Sequence, residues 1–318
     1  MSGLSALILN KSEVTIMSSF CKNNHQRLMK LHEKTPDCVI YFLAGSLPGA
    51  AILHLRQLSL FCMICHLKDD ILNSLAIKLL VDAKPGAHSW FQQIREICIQ
   101  YELPHPLSLL ESPPPKLQFK KFCKDKVHEY WRSKLSLHAS SLPSLQYLKP
   151  DFLSLKNPHP IWTSLDGNPY QAKAAKVQAL FLSGRYRTNR FCRFWSATNK
   201  EGYCELKTCK DLNIIEDVEH IILYCNGLCE TRRRLLSFTT DFIADKPILQ
   251  PIIDAYLFSS DSNTTMQFLL DCSVLPLVIL AKQKYGPSIH QTLFKITRTW
   301  CRSLHRDRLK CLGRYISS

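Results

Sequence analysis

A chain of 318 residues with 46% hydrophobic content can bury a substantial core and form two or more subdomains, which excludes an intrinsically disordered protein. Its 41 Lys+Arg against 26 Asp+Glu give a formal charge of +15, which points to a polyanionic partner, nucleic acid before membrane. The 14 cysteines follow an N-terminus, MSGLSALILNKSEV, that lacks the basic n-region of a signal peptide; the expectation is reduced thiols in an intracellular protein of cytoplasm or nucleus, not a secreted one.

Helical periodicity dominates, so the predicted class is mainly α. Residues 38–54 carry no formal charge and nearly reach the length of a membrane span. Gly45, Pro48 and Gly49 interrupt them, and the turn-like Ser46-Leu47-Pro48-Gly49 divides the run into two short buried elements. Strand signal is weak and limited to candidates such as residues 38–43. From 50 to 67 apolar residues recur at three- and four-residue spacing (Leu53, Leu58, Phe61, Ile64, Cys65), and 71–80 continue in that style. Cys62 and Cys65 form a C-x2-C followed by His66, a spacing also used by redox and metal sites. It lies within an apolar helical stretch and reads as core. Asp69-Asp70 is the only Asp-Asp pair; it stands between two helices and caps the second, whereas polymerases place such a pair on a hairpin to share Mg²⁺.

Residues 89–101 predict an amphipathic helix with Trp90, Ile94, Ile97 and Cys98 inward. Residues 103–115 hold five of the 17 prolines and read as a connector without an element. A basic helix follows over 116–137, its lysine face either solvated or turned to phosphates. Residues 142–166 are proline-punctuated and irregular. Asn168-Pro169 opens a helix through Leu182 that Ser183-Gly184 ends. Beyond 225 come a helix over 229–238 carrying Arg232-Arg233-Arg234, two short elements around Pro247 and Pro251, and a closing helix from 288 to about 312. The apolar run 268–281 is short for a membrane span and is broken by Asp271 and Pro276. The stretch 298–314 has six Arg/Lys against Asp307, either a phosphate-tracking surface or soluble helix surface.

Four residues carry the clearest chemistry. Cys204, Cys209, His220 and Cys225 form C-x4-C-x10-H-x4-C, and three thiols with one imidazole complete a tetrahedral set for Zn²⁺. The loop between Cys204 and Cys209 can fold back so that both sulfurs face one point. Glu216, Asp217 and Glu219 suit a helix N-terminus from which His220 projects. Five residues subtend about 500° on an α-helix, leaving His220 and Cys225 about 140° apart, so the helix must end at or near Cys225. Cys229 is the alternative fourth ligand; Cys225 is preferred because Cys229 begins the next helix. Just upstream, Arg185, Arg187, Arg190 and Arg193 alternate with Tyr186, Phe191, Phe194 and Trp195. Guanidinium groups pair with phosphates and aromatic faces stack on unpaired bases, so this segment is a candidate surface for RNA or single-stranded DNA. The bland alternative is a helix with aromatics in the core and solvated arginines. No Walker loop, G-x-G-x-x-G or G-x-S-x-G occurs.

The blocks LSGRYRTNRFCRFWS, GYCELKTC, EDVEHIILYC and NPHPIWTS resemble the C-terminal region of non-LTR retrotransposon reverse transcriptases. So do LPGAAILHLRQLSLFCMICHL, SWFQQIREICIQYELPHPLSLL and TRTWCRSLHRDRLKCLGRY, which extend the resemblance over residues 28–316. It implies an unmatched stretch at 1–27, a helical thumb-like and connector region at 28–141, a basic-aromatic segment with a zinc knuckle at 142–238, and a C-terminal helical region at 239–318. The family's endonuclease and polymerase Asp-Asp motif have no counterpart. The resemblance therefore implies a truncated element that binds template RNA or target DNA through the arginine segment and zinc module, without catalysis and without a membrane. Inherited RNA-directed DNA polymerase activity is the enzymatic alternative, and a relic without a selected role is a third.

Overall fold

Prolines, glycines and short polar caps cut the chain into fifteen α-helices among the residues that the computed structural model describes, which are 6–84, 86, 88–194, 196 and 199–313. The extended contribution among these residues is one antiparallel bridge, Tyr203 with Ile215, so the protein is mainly α. The helices gather into two units.

The first unit comprises Met1–Leu28, Ile40–His138 and Ser154–Asn157. Its helices are α1 (Lys11–Leu28), α2 (Asp37–Ala44) from Ile40 onward, α3 (Gly49–Cys65), α4 (Asp70–Asp82), α5 (Trp90–Gln100), α6 (Pro106–Glu111) and α7 (Lys116–Ser140) as far as His138. The uncharged run does split at its turn, into α2 and α3. The strand candidate over 38–43 is corrected to α2: every residue there is buried, so no alternation exists to tell strand from helix. Gly49 lets α1 lie close on α3, since a Cβ there would stand 2.9 Å from Ser18 Cα. The connector over 103–115 is corrected too, because it contains α6. Pro106 takes the first helical position, where its missing N–H costs nothing, and His105 Nδ1 accepts the Leu107 N–H at 3.3 Å.

Asp69 caps α4, accepting from the N–H groups of Ile71 (2.9 Å) and Leu72 (3.1 Å). Ile94, Ile97 and Cys98 of α5 point inward, but Trp90 is only half-buried and Gln92 takes an inside place. Cys62 and Cys65 are buried in α3, and burial pushes the thiols of Cys65, Cys98 and Cys123 up to about 12, which keeps them protonated core groups. Tyr101 Oη bonds His54 Nδ1 at 2.8 Å and accepts from Trp131 Nε1 at 3.0 Å, tying α3, the end of α5 and α7 together.

The second unit comprises Met29–Val39, Ala139–Leu153 and Pro158–Ser318. It holds α8 (Pro160–Thr163), α9 (Pro169–Leu182), α10 (Asn189–Cys192), α11 (Cys229–Ile243), α12 (Gln250–Tyr256), α13 (Ser262–Asp271), α14 (Pro276–Tyr285) and α15 (Ser288–Cys311). Asn168 caps α9 through the Tyr170 N–H at 2.8 Å. The long amphipathic α15 is the unit's axis: Leu293, Phe294, Ile296, Trp300, Cys301 and Leu304 are buried, and α9, α11, α13 and α14 pack around it. The stretch Ser262–Tyr285 has the length and composition to cross a membrane, yet its most apolar 18-residue window is 67% buried, and Asp271 and Pro276 break it into α13 and α14. Asp271 is fully buried against His159, whose Nδ1 accepts the Ile161 N–H, so Nε2 donates to the carboxylate at 3.1 Å.

The basic stretch over 298–314 is not the uniform cationic surface its charge implies. Arg298 is 1% exposed and donates to Gln171 Oε1, the carbonyls of Ile161 and Ser164, and Ser164 Oγ. Arg308 is 2% exposed and ion-paired. Two of the six cations are thus structural.

Candidate metal centre

The centre is assembled by a loop that local chemistry folds back on itself. Asn199 Oδ1 accepts from the N–H groups of Gly202 (2.8 Å) and Tyr203 (3.0 Å), turning the chain toward its first ligand. Gly202 has φ +78°, and a Cβ there would stand 2.7 Å from Arg190 Cα, so only glycine lets this turn lie on α10. The bridge between Tyr203 and Ile215 then pairs Cys204 N with Ile214 O (2.8 Å) and Glu216 N with Gly202 O (2.9 Å). Between these arms Leu206 O accepts from Cys209 N at 2.7 Å, which brings Cys209 round beside Cys204.

The second ligand pair comes from a single π turn, His220–Tyr224, closed by Cys225 N donating to His220 O at 2.7 Å. The wider π turn brings residues i and i+5 closer to one face than an α-helix does, so the separation of about 140° expected for His220 and Cys225 on an α-helix is much reduced. The helical turn begins at 218 rather than at Glu216, and Asp217 Oδ1 caps it by accepting from His220 N at 2.8 Å.

Cys204, Cys209, His220 and Cys225 are all buried, and one ligand atom from each lies within 4.8 Å of the others; the four can hold a metal ion. Cys225 Sγ is 3.9 Å from Cys204 Sγ and 3.7 Å from Cys209 Sγ. A tetrahedral ion with metal–sulfur distances of about 2.3 Å requires an S···S edge of about 3.8 Å, so the thiols already stand at ligand spacing. His220 Nε2 is buried without a hydrogen-bond partner, as a ligand nitrogen would be. Cys229 starts α11, is exposed, and is not part of this set. The hydrogen bond from Cys225 pulls the Cys204 thiol well below its ordinary value against the opposing effect of burial, and drives the Cys225 thiol up in turn.

Charged groups surround the centre. Arg232 donates to Cys225 O at 2.7 Å, and its other terminal nitrogen is buried without an acceptor. Burial lowers its pKa, while Cys225, Cys229 and Cys209 oppose that shift. Glu216 is 0% exposed, with Oε1 4.0 Å from Cys204 Sγ. It accepts from Arg308 Nε (2.9 Å) and a terminal Arg308 nitrogen (2.6 Å), and from Asn189 N at the start of α10 (2.6 Å). Burial works against the Arg308 charge, but the bonds to Glu216 outweigh it and hold its pKa above the ordinary value. One carboxylate therefore joins the centre, the arginine segment and α15. The pattern of the sequence offered no signal for this role.

Beside the centre lies a groove of about 530 Å³, and most of the basic-aromatic segment lines it. Arg185, Arg190, Arg193, Phe191 and Phe194 contribute, with Asp217 and Glu219 from the approach to His220. Arg190 is ion-paired with Asp217 at 3.1 Å. Phe194 is 75% exposed. Tyr186 is part of the wall but buried: it stacks on Phe181 with centroids 4.0 Å apart and bonds His305 Nδ1 at 2.8 Å. Arg187 is exposed and does not line the groove; its charge acts on His32, whose pKa burial lowers first and Arg187 second. Trp195 lies outside the described residues. No protein-family model matches this chain, and no curated protein and no solved structure matches it either.

Proposed function

We propose that the Cys3His centre holds one Zn²⁺ and that the chain is a nucleic-acid-binding protein of zinc-knuckle type, acting by binding rather than catalysis. Soft thiolates and an imidazole at tetrahedral spacing suit zinc better than the oxygen-seeking cations. With all four positions taken by protein, the ion would act structurally, fixing the loop that carries Asp217 and Glu219 against the arginine segment. The observation that carries the reading is the adjacency of the two features: the groove lined by Arg185, Arg190 and Arg193 is also lined by Asp217, Val218 and Glu219, the three residues that lead into His220 of the cluster. The net charge of +15 and the resemblance to non-LTR retrotransposon reverse transcriptases support the same reading. RNA or single-stranded DNA is the partner whose phosphates and unpaired bases fit arginines beside an exposed phenylalanine.

Elemental analysis of the purified chain is expected to return one zinc per molecule, and Cys209→Ser to lose it. Binding to a labelled single strand should weaken with salt, each neutralised phosphate contributing about −0.7 to the log–log slope. Changing Arg185, Arg190 and Arg193 together to Ala should flatten that slope by up to about 2. Well under one zinc per chain, or an unaltered slope, sinks the assignment. Primer extension with Mg²⁺ and deoxynucleotides tests the enzymatic alternative, and measurable incorporation would overturn the binding-only reading.

A further inference from the structure

The groove mixes two chemistries, and a phosphate cradle needs only one of them. Arg185 lies over the Phe191 ring with its guanidinium carbon 5.7 Å from the centroid, and Arg193 lies over Phe194 at 4.8 Å. Such layers offer both a cation for phosphate and a flat face for a base. Two carboxylates share the same groove and repel phosphate. Asp217 is committed, one oxygen accepting from His220 N and the other from Arg190. Glu219 is the carboxylate that neither contact uses. It costs affinity for a bare backbone unless the ligand brings N–H donors to it. Guanine does so best: its ring N1–H and 2-amino group lie side by side and match the two oxygens of one carboxylate. Uracil offers a single N–H between two carbonyls that a carboxylate repels. A groove of about 530 Å³ is of the size that holds a ligand as large as one nucleotide.

The geometry points to a seat for one unpaired guanine nucleotide, with the base against Phe194 and Arg193, its Watson–Crick edge on Glu219 and its phosphate on Arg185. This rests on the nucleic-acid reading above and adds base selectivity to it. The test is fluorescence anisotropy of the zinc-loaded full chain with a short oligouridine, and with the same oligomer carrying one central guanosine. The guanosine should tighten binding on the order of tenfold, and inosine, which lacks the 2-amino group, should lose most of that gain. Glu219→Gln should tighten oligouridine by removing repulsion and erase the difference between the two oligomers. Equal affinities for wild type, a gain kept by inosine, or a gain that survives Glu219→Gln overturns the proposal while nucleic-acid binding stands. Binding of neither oligomer overturns the nucleic-acid reading and this seat with it. Should Glu219→Gln release zinc, the inosine comparison on wild type decides alone.

Discussion

Glu216 and Arg308 stand 92 residues apart in sequence and meet where side-chain exposure is 0% and 2%. Removing two charges from water costs several kcal/mol per ion, and only close geometry with further hydrogen bonds offsets it. Glu216 meets that condition with two bonds from Arg308 and one from Asn189 N. Breaking such a pair on one side leaves an unpaired buried charge, which costs about 3–5 kcal/mol. Glu216→Gln and Arg308→Met should each lower the urea unfolding free energy by about that amount. The double variant should recover more than half of the summed loss, because no lone charge remains. Simple additivity in this cycle would mean that the pair is not energetically coupled. Arg232 makes a different contribution. Three thiolates and a divalent ion would carry a net charge of −1, and this arginine already donates to the Cys225 carbonyl.

At the scale of elements, the π turn His220–Tyr224 decides whether the second ligand pair can close. Its register is strict. Inserting one alanine after Ile222 should separate His220 and Cys225 and abolish zinc retention, while far-UV circular dichroism keeps its helical signal; full zinc content in that variant would show that another residue can replace Cys225. That Cys204, Cys209, His220 and Cys225 come together was legible in the sequence because the spacing between Cys204 and Cys225 is local. The π turn was not, since it differs from an α turn by one hydrogen bond that no residue type dictates. Helices bounded by their own punctuation, such as α9 between Asn168 and Ser183-Gly184, could be read to the residue. Residues 38–43 could not, because an unbroken apolar run has neither period. The proline-rich connector hid α6, because a proline that blocks a helix interior also starts a helix. The buried roles of Arg298 and Arg308 depend on partners in distant segments, which charge counting does not reveal.

At the scale of the whole molecule, stability should fall in mild acid, and the cause is spread over both units. Burial pushes His54 of the first unit, and His290 and His305 of the second, down to about 4. An unfolded histidine titrates near 6.5, so between 6.5 and 4 the unfolded chain binds more protons than the folded one. Stability therefore rises with pH across that window: the contribution is fully present above about 6.5 and is lost as pH falls toward 4. Asp271 and Asp307 act lower down, because their ion-pair partners and hydrogen bonds outweigh burial and hold their pKa values below the usual carboxylate range; their contribution disappears only below about 4. Release of the proposed zinc should overlap the histidine window, because ligands must be deprotonated to bind metal. Two urea titrations separate the effects, one on the zinc-loaded chain and one on the metal-free Cys209→Ser variant. Both should lose stability from pH 6.5 to 4, on the order of a few kcal/mol in total, with the larger loss in the zinc-loaded chain. If the metal-free variant is equally stable at pH 7 and pH 4.5, the buried histidines are not the source, and zinc loss alone accounts for the acid sensitivity.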